Sequence, residues 1–151
     1  AYTIYSYKIK MENIILASDH AGFKLKKEIK SFLIKNKKKV LDLGTNNTDS
    51  VDYPDFAHRL SYKIKKNGKY FGILICGSGI GMGIAANRHK NIRAALCYNI
   101  KSAKLSREHN NANVMTIGAR FTKKKLALKC VDAFIKTNFK GGRHLRRVKK
   151  I

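Results

Sequence analysis

The chain lacks tryptophan, has a single proline (Pro54), and carries only three cysteines and nine acidic residues among 151 positions. No two cysteines stand in CxxC spacing, so Cys76, Cys97 and Cys130 suit reduced thiols better than a disulfide framework or a zinc site. No metal is expected on these grounds. With one proline and eleven glycines there is no composition for a long flexible linker. No apolar run approaches the roughly 20 residues that cross a bilayer. Residues 1–10 lack the apolar h-region and small-residue cleavage site of a secretory signal. The expectation is one cytoplasmic domain with no membrane partner.

The scarcity of acids leaves 33 Lys+Arg against 9 Asp+Glu, a formal charge of +24. Clustered cations neutralise phosphates and release counterions, so nucleic acid must be weighed as a partner. The placement argues against it. Lys24, Lys26, Lys27 and Lys30 fall on predicted outer helix faces, and no zinc-finger spacing, RNP-like aromatic stripe or basic arm accompanies them. A solvated, lysine-rich surface is the preferred reading.

What is present is an alternation of short apolar runs with helical periodicity. Residues 1–10 form a tyrosine-rich, basic extension, and the domain spans 11–151. Strands are predicted at 13–18, 40–43, 71–76, 93–97 and 114–118. Helices are predicted at 22–35, 55–66, 80–89, 100–110 and 123–137, with a basic helix after Gly141-Gly142. Buried strands joined through helices specify a parallel sheet covered on both faces. The fold class is therefore α/β: a doubly wound, Rossmann-like three-layer sandwich of five strands, with a C-terminal helix extension. The expected strand order is 2-1-3-4-5, and ligands bind such sheets where the carboxyl ends of strands diverge.

That rule selects Ser18-Asp19-His20 after strand one and Cys76-Gly77-Ser78-Gly79-Ile80-Gly81 after strand three. The second segment fits neither the dinucleotide pattern, which would need glycine where Met82 stands, nor the nucleotide P-loop. Its glycines still allow close backbone approach to an anion. The thiol at its entrance sits near a helix N-terminus, where the dipole favours anionic sulfur. Asp19 and His20 enter the same crevice. A third candidate is Arg107-Glu108-His109-Asn110 before strand five, where His109 could equally be a solvated helix C-cap. The last is Gly141–Arg147, in which Arg143 and Arg147 share one helix face and suit a phosphate dianion. A plain basic tail remains open there. Cys97 and Cys130 read as small buried hydrophobes.

Together the segments ASDHAGFKLK, LDLGT, DYPDFA, GILICGSGIGMGIAANR, IRAAL, SREHNNANV, GAR and GGRHLRRV resemble the family of type B ribose-5-phosphate isomerases and galactose-6-phosphate isomerase subunits. The resemblance covers residues 11–151. It implies interconversion of ribose 5-phosphate and ribulose 5-phosphate through a cis-enediolate, in pentose phosphate metabolism and without a cofactor. By this likeness Cys76 is the base, while Ser78 and the amides of Gly77, Gly79, Ile80 and Gly81 hold the oxyanion. His109 opens the sugar ring, and Asp19, Asn110 and Tyr53 contact the sugar. His20, Arg120, Arg143 and Arg147 hold the phosphate. One branch of the family uses a carboxylate at the end of the glycine loop; Met82 stands there and cannot take a proton. The family also implies a homo-oligomer, dimer or tetramer, whose sites draw residues from two subunits. A six-carbon sugar phosphate is the alternative substrate.

Overall fold

A computed structural model describes residues 13–66 and 69–151. The proposed extension, residues 1–10, lies outside the described residues. The strands are β1 (Asn13–Ser18), β2 (Lys39–Asp42), β3 (Phe71–Cys76), β4 (Ala94–Leu96) and β5 (Val114–Gly118). The helices are α1 (Phe23–Lys35), α2 (Tyr53–Lys66), α3 (Ile80–Ala86), α4 (Ile100–Glu108), α5 (Lys124–Lys136) and α6 (Arg143–Val148). Every strand pair is parallel. None of the described helices is long and apolar enough to cross a membrane.

The period-2 alternation of the strands divides the core into two layers. Ile14, Leu16, Ile73, Ile75, Met115 and Ile117 face one side, beneath Leu25, Ile29 and Leu33 of α1 and Val131 and Phe134 of α5. Ile15, Ala17, Leu74, Cys76 and Val114 face the other, beneath Phe56 and Leu60 of α2 and Met82 and Ala86 of α3. The α/β/α sandwich expected from the sequence is thus present, with Cys76 at the end of a strand on the α2/α3 side.

The strand order is a correction: the sheet runs β2-β1-β3-β5-β4, not 2-1-3-4-5. All five residues of β5 are buried, which demands a neighbour on each edge. β4 has only three residues, none fully buried, and suits an edge. The chain therefore passes over the β5 position to form β4 and then returns. The divergence between β1 and β3 is unaffected, because β1 leads outward to β2 and β3 inward to β5.

Lys26 is a second correction. Helical spacing puts it on an outer face, yet it is fully buried. Its ammonium group donates to Asp42 Oδ1 (2.5 Å) and to the Thr45 carbonyl (2.6 Å), the pairing that permits a lysine inside. Burial lowers its pKa, against the opposing pull of Asp42. This contact pins the 42–45 segment to α1, and the same segment exchanges backbone bonds with Ser18: Ser18 N to Gly44 O and Thr45 N to Ser18 O, both 2.8 Å. The loop beside Asp19 is thereby fixed from two directions.

Candidate active site

Three strand ends converge on a cleft of about 460 Å³. β1 contributes Asp19 and His20, β3 contributes Cys76, Gly77, Ser78, Ile80 and Gly81, and the turn after β5 contributes Arg120; Tyr53 enters from the start of α2. The divergence of β1 from β3 opens this space, as the topology rule requires.

Local chemistry fixes each group. The Gly79 N–H donates to Cys76 Sγ (3.1 Å), and the Ile80 N–H donates to Ser78 Oγ (3.2 Å). Two of the loop amides are thus taken up within the loop, and the Ser78 hydroxyl keeps its proton to donate. Gly79 has φ +76°, a left-handed conformation that favours glycine. A Cβ on Gly77 would lie 2.9 Å from Arg120 Cζ, so the absence of a side chain there lets the guanidinium lie across the loop. A Cβ on Gly81 would meet the Tyr53 ring at 2.6 Å. Asp19 is 6% exposed, and its Oδ1 accepts from the Gly22 N–H (3.0 Å) at the entry to α1. His20 Nδ1 accepts from the Val51 N–H (3.1 Å), which places the ring proton on Nε2. Met82 is fully buried in the apolar layer below the loop.

The other predicted residues lie elsewhere. His109 and Asn110 close α4 and line a second cleft of about 400 Å³ with His144, Arg147, Val148 and Ile151. The two clefts have no lining residue in common, and Arg143 lines neither. His109 stacks on His144, with ring centroids 4.2 Å apart and planes 11° apart. His144 is 9% exposed; desolvation, His109 and the cations Arg143, Arg147 and Lys140 lower its pKa. No spacing rule selects His144 from the sequence, although it sits inside the GGRHLRRV segment. No group of three or more His, Cys, Asp or Glu side chains among the described residues is arranged to hold a metal ion.

The ribose/galactose isomerase family model matches residues 14–151, essentially all of the described chain. The chain belongs to that family. Ribose-5-phosphate isomerase B of Escherichia coli K12 is 41% identical over 141 residues, covering 93% of this chain and 95% of its own length. A type B ribose-5-phosphate isomerase from Mycoplasma genitalium, solved with bound ribulose 5-phosphate, is 49% identical with a TM-score of 0.89; the match covers 91% of this chain and 92% of that one. The ribose 5-phosphate isomerase of Thermotoga maritima gives 48% identity and the same TM-score of 0.89, over 91% of this chain and 95% of that one. The five-stranded parallel architecture of this isomerase is therefore that of its solved relatives. Its remaining cysteines stand apart from both clefts: Cys97 and Cys130 are fully buried. Burial pushes Cys97 up to about 12 and raises Cys130, so neither thiol is poised to ionise.

Proposed function

We propose that the chain interconverts ribose 5-phosphate and ribulose 5-phosphate with Cys76 as the general base. Membership of the family makes it an aldose–ketose isomerase; the sugar and the residue roles are the proposal. The observation that carries it is the convergence of Cys76, Ser78, Asp19, His20 and Arg120 on one cleft at the strand ends. In the open-chain aldose, Cys76 takes the proton from carbon 2. The electron pair moves into a carbon 1–carbon 2 double bond and charge builds on oxygen 1, beside the Ser78 hydroxyl and those loop amides not engaged within the loop. A proton passes from the oxygen 2 hydroxyl to oxygen 1, and return of the Cys76-held proton to carbon 1 then leaves a hydroxyl on carbon 1 and a carbonyl at carbon 2, the ketose. Fixed donors aimed at the developing oxyanion are worth several kcal/mol in such reactions. Asp19 Oδ2 is left to accept from a sugar hydroxyl. His20 Nε2–H and Arg120 form the phosphate end, with Tyr53 against the sugar.

Ring opening is assigned to His109, with Asn110 beside it and Arg143 and Arg147 as further phosphate ligands. His109, Asn110 and Arg147 belong to the second cleft, and Arg143 lies on the same helix as Arg147, so the reading requires a second copy of the chain to bring its His109 to the first cleft. Two features support this. The lining sets are disjoint. Next to the glycine loop, Ile80 (54% exposed), Ile84 (65%) and Leu96 (39%) leave an apolar surface that a partner copy would cover.

The substrate is tested by comparing ribose 5-phosphate with allose 6-phosphate under matched conditions. We expect kcat/KM to favour the five-carbon sugar by at least about tenfold, since one misplaced carbon is worth about 1–3 kcal/mol in a fitted site. A preference for the six-carbon substrate would overturn the assignment. The phosphate role of Arg120 has a separate test in Gly77→Ala. The added methyl should push the flexible Arg120 head aside and leave the fold intact. Substrate affinity should then fall roughly 10-fold, the low end for an arginine bonded to a charged group. Wild-type affinity in Gly77→Ala, measured alongside Arg120→Ala, would remove Arg120 from the phosphate site.

A further inference from the structure

Two guanidinium groups meet on Asn111, the left-handed residue (φ 46°) that follows Asn110. Arg107 donates to its Oδ1 and Arg93 Nε to its backbone carbonyl, both at 2.8 Å. Among the described residues no carboxylate forms an ion pair with either arginine. Arg107 is 1% exposed and is compensated by neutral partners. It also donates to the carbonyls of Ala112 (2.6 Å) and Thr137 (3.2 Å) and lies over the Phe71 and Phe134 rings. Burial, with the charge of Arg93 adding to it, brings Arg107 down to about 10.

Arg93 is different. Its Nε is engaged, but a guanidinium has further donors, and no other described acceptor takes them. Arg93 is half-buried and lines a cleft of about 340 Å³ together with Lys65, Tyr70, Phe71, Asn91 and Asn113. Asn113 frames this cleft rather than filling it: its Oδ1 accepts from the Arg93 N–H and its Nδ2 donates to the Asn91 carbonyl. Phe71 begins β3, while Arg93 and Asn113 immediately precede β4 and β5. The cleft is therefore at the amino ends of the strands, opposite the end that carries Cys76.

A partly buried guanidinium with idle donors, a second buried cation behind it and a lysine at its rim is an uncompensated positive site. Charges removed from water are stable when paired, and no acid among the described residues supplies a partner here. We propose that this cleft binds a small oxyanion, a phosphate or carboxylate group seated on the two-pronged head of Arg93 with Lys65 beside it. The planar fork matches such groups bidentately. The cleft leaves room for a small organic body attached to the anion. This site is separate from the phosphate end assigned around Arg120 and does not depend on that assignment.

The test is the side-chain Nε–Hε resonance of Arg93 in nitrogen-15-labelled protein, assigned through its own backbone so that no variant is needed. Inorganic phosphate and acetate are titrated separately, with chloride holding the ionic strength constant. We expect a saturable shift with a midpoint on the order of 1–10 mM, retained in Arg120→Ala. A response to phosphate alone makes the ligand a phosphoryl group; a response to both makes it any small oxyanion. A shift that grows linearly and matches chloride, or one that vanishes in Arg120→Ala, overturns the site.

Discussion

Cys76→Ala should lower turnover on ribose 5-phosphate by about 10²–10⁴-fold, the usual worth of a positioned base, while leaving substrate binding and the fold nearly unchanged. Cys76 is 4% exposed at the mouth of the glycine loop, its sulfur held by the Gly79 N–H. Its removal deletes one small group at the cleft end of a strand, so any loss of stability should be small beside the loss of turnover. No substitute base stands in the loop, because Met82, where the carboxylate of the other family branch would lie, is buried and cannot ionise. Asp19 is the one carboxylate among the described residues that line this cleft, and one of its oxygens is engaged by the Gly22 N–H. Cys97→Ala is the control: its thiol is fully buried and away from the cleft, so its loss should affect stability and spare turnover. The check is kcat at saturating substrate, together with the affinity for a non-reacting sugar phosphate. If Cys76→Ala kept more than a tenth of wild-type turnover, the proton would have to move through another residue.

The parts of this site that lie close in sequence were legible without coordinates. Glycine after a buried strand, with Cys76 at its entrance and Asp19-His20 at the neighbouring strand end, is a local pattern combined with one topological rule. Local signals are silent on which distant backbone groups serve a side chain. Nothing in 18–22 says that His20 is oriented by the Val51 amide, or that Lys26 is drawn inside by Asp42 and the Thr45 carbonyl. Helical periodicity put Lys26 outward because its partners come from β2 and the loop beyond. The strand order failed for a similar reason. Sequence adjacency favours β4 beside β3, whereas burial on both faces places the longer, wholly buried β5 there. Arg120 entered only through family likeness; in the fold its signal is Gly77, where a Cβ would strike its guanidinium. His144 escaped notice because a ring stacked on another ring from a distant helix leaves no spacing rule behind.

His109→Asn should separate ring opening from proton transfer, and should also reveal where the second half of the site comes from. On the cyclic aldose phosphate we expect a fall in turnover of about 10²-fold or more, since opening needs a proton moved between ring oxygen and anomeric hydroxyl. On the open-chain ketose phosphate, proton exchange at carbon 1 should be spared much better, because Cys76 and its loop are intact. Equal losses on both would remove His109 from ring opening. The two clefts share no residue, so a further outcome follows from symmetry. In a two-fold dimer each site would take Cys76 from one copy and His109 from the other. Mixing Cys76→Ala with His109→Asn under exchanging conditions then makes half of the dimers mixed. One of the two sites in each mixed dimer carries both native residues, and the other carries neither. Activity on ribose 5-phosphate should rise from near zero to about a quarter of wild type. Two inactive proteins that stay inactive after proven subunit exchange would show that each copy completes its own site, and the sharing of Cys76 and His109 between two copies would be overturned.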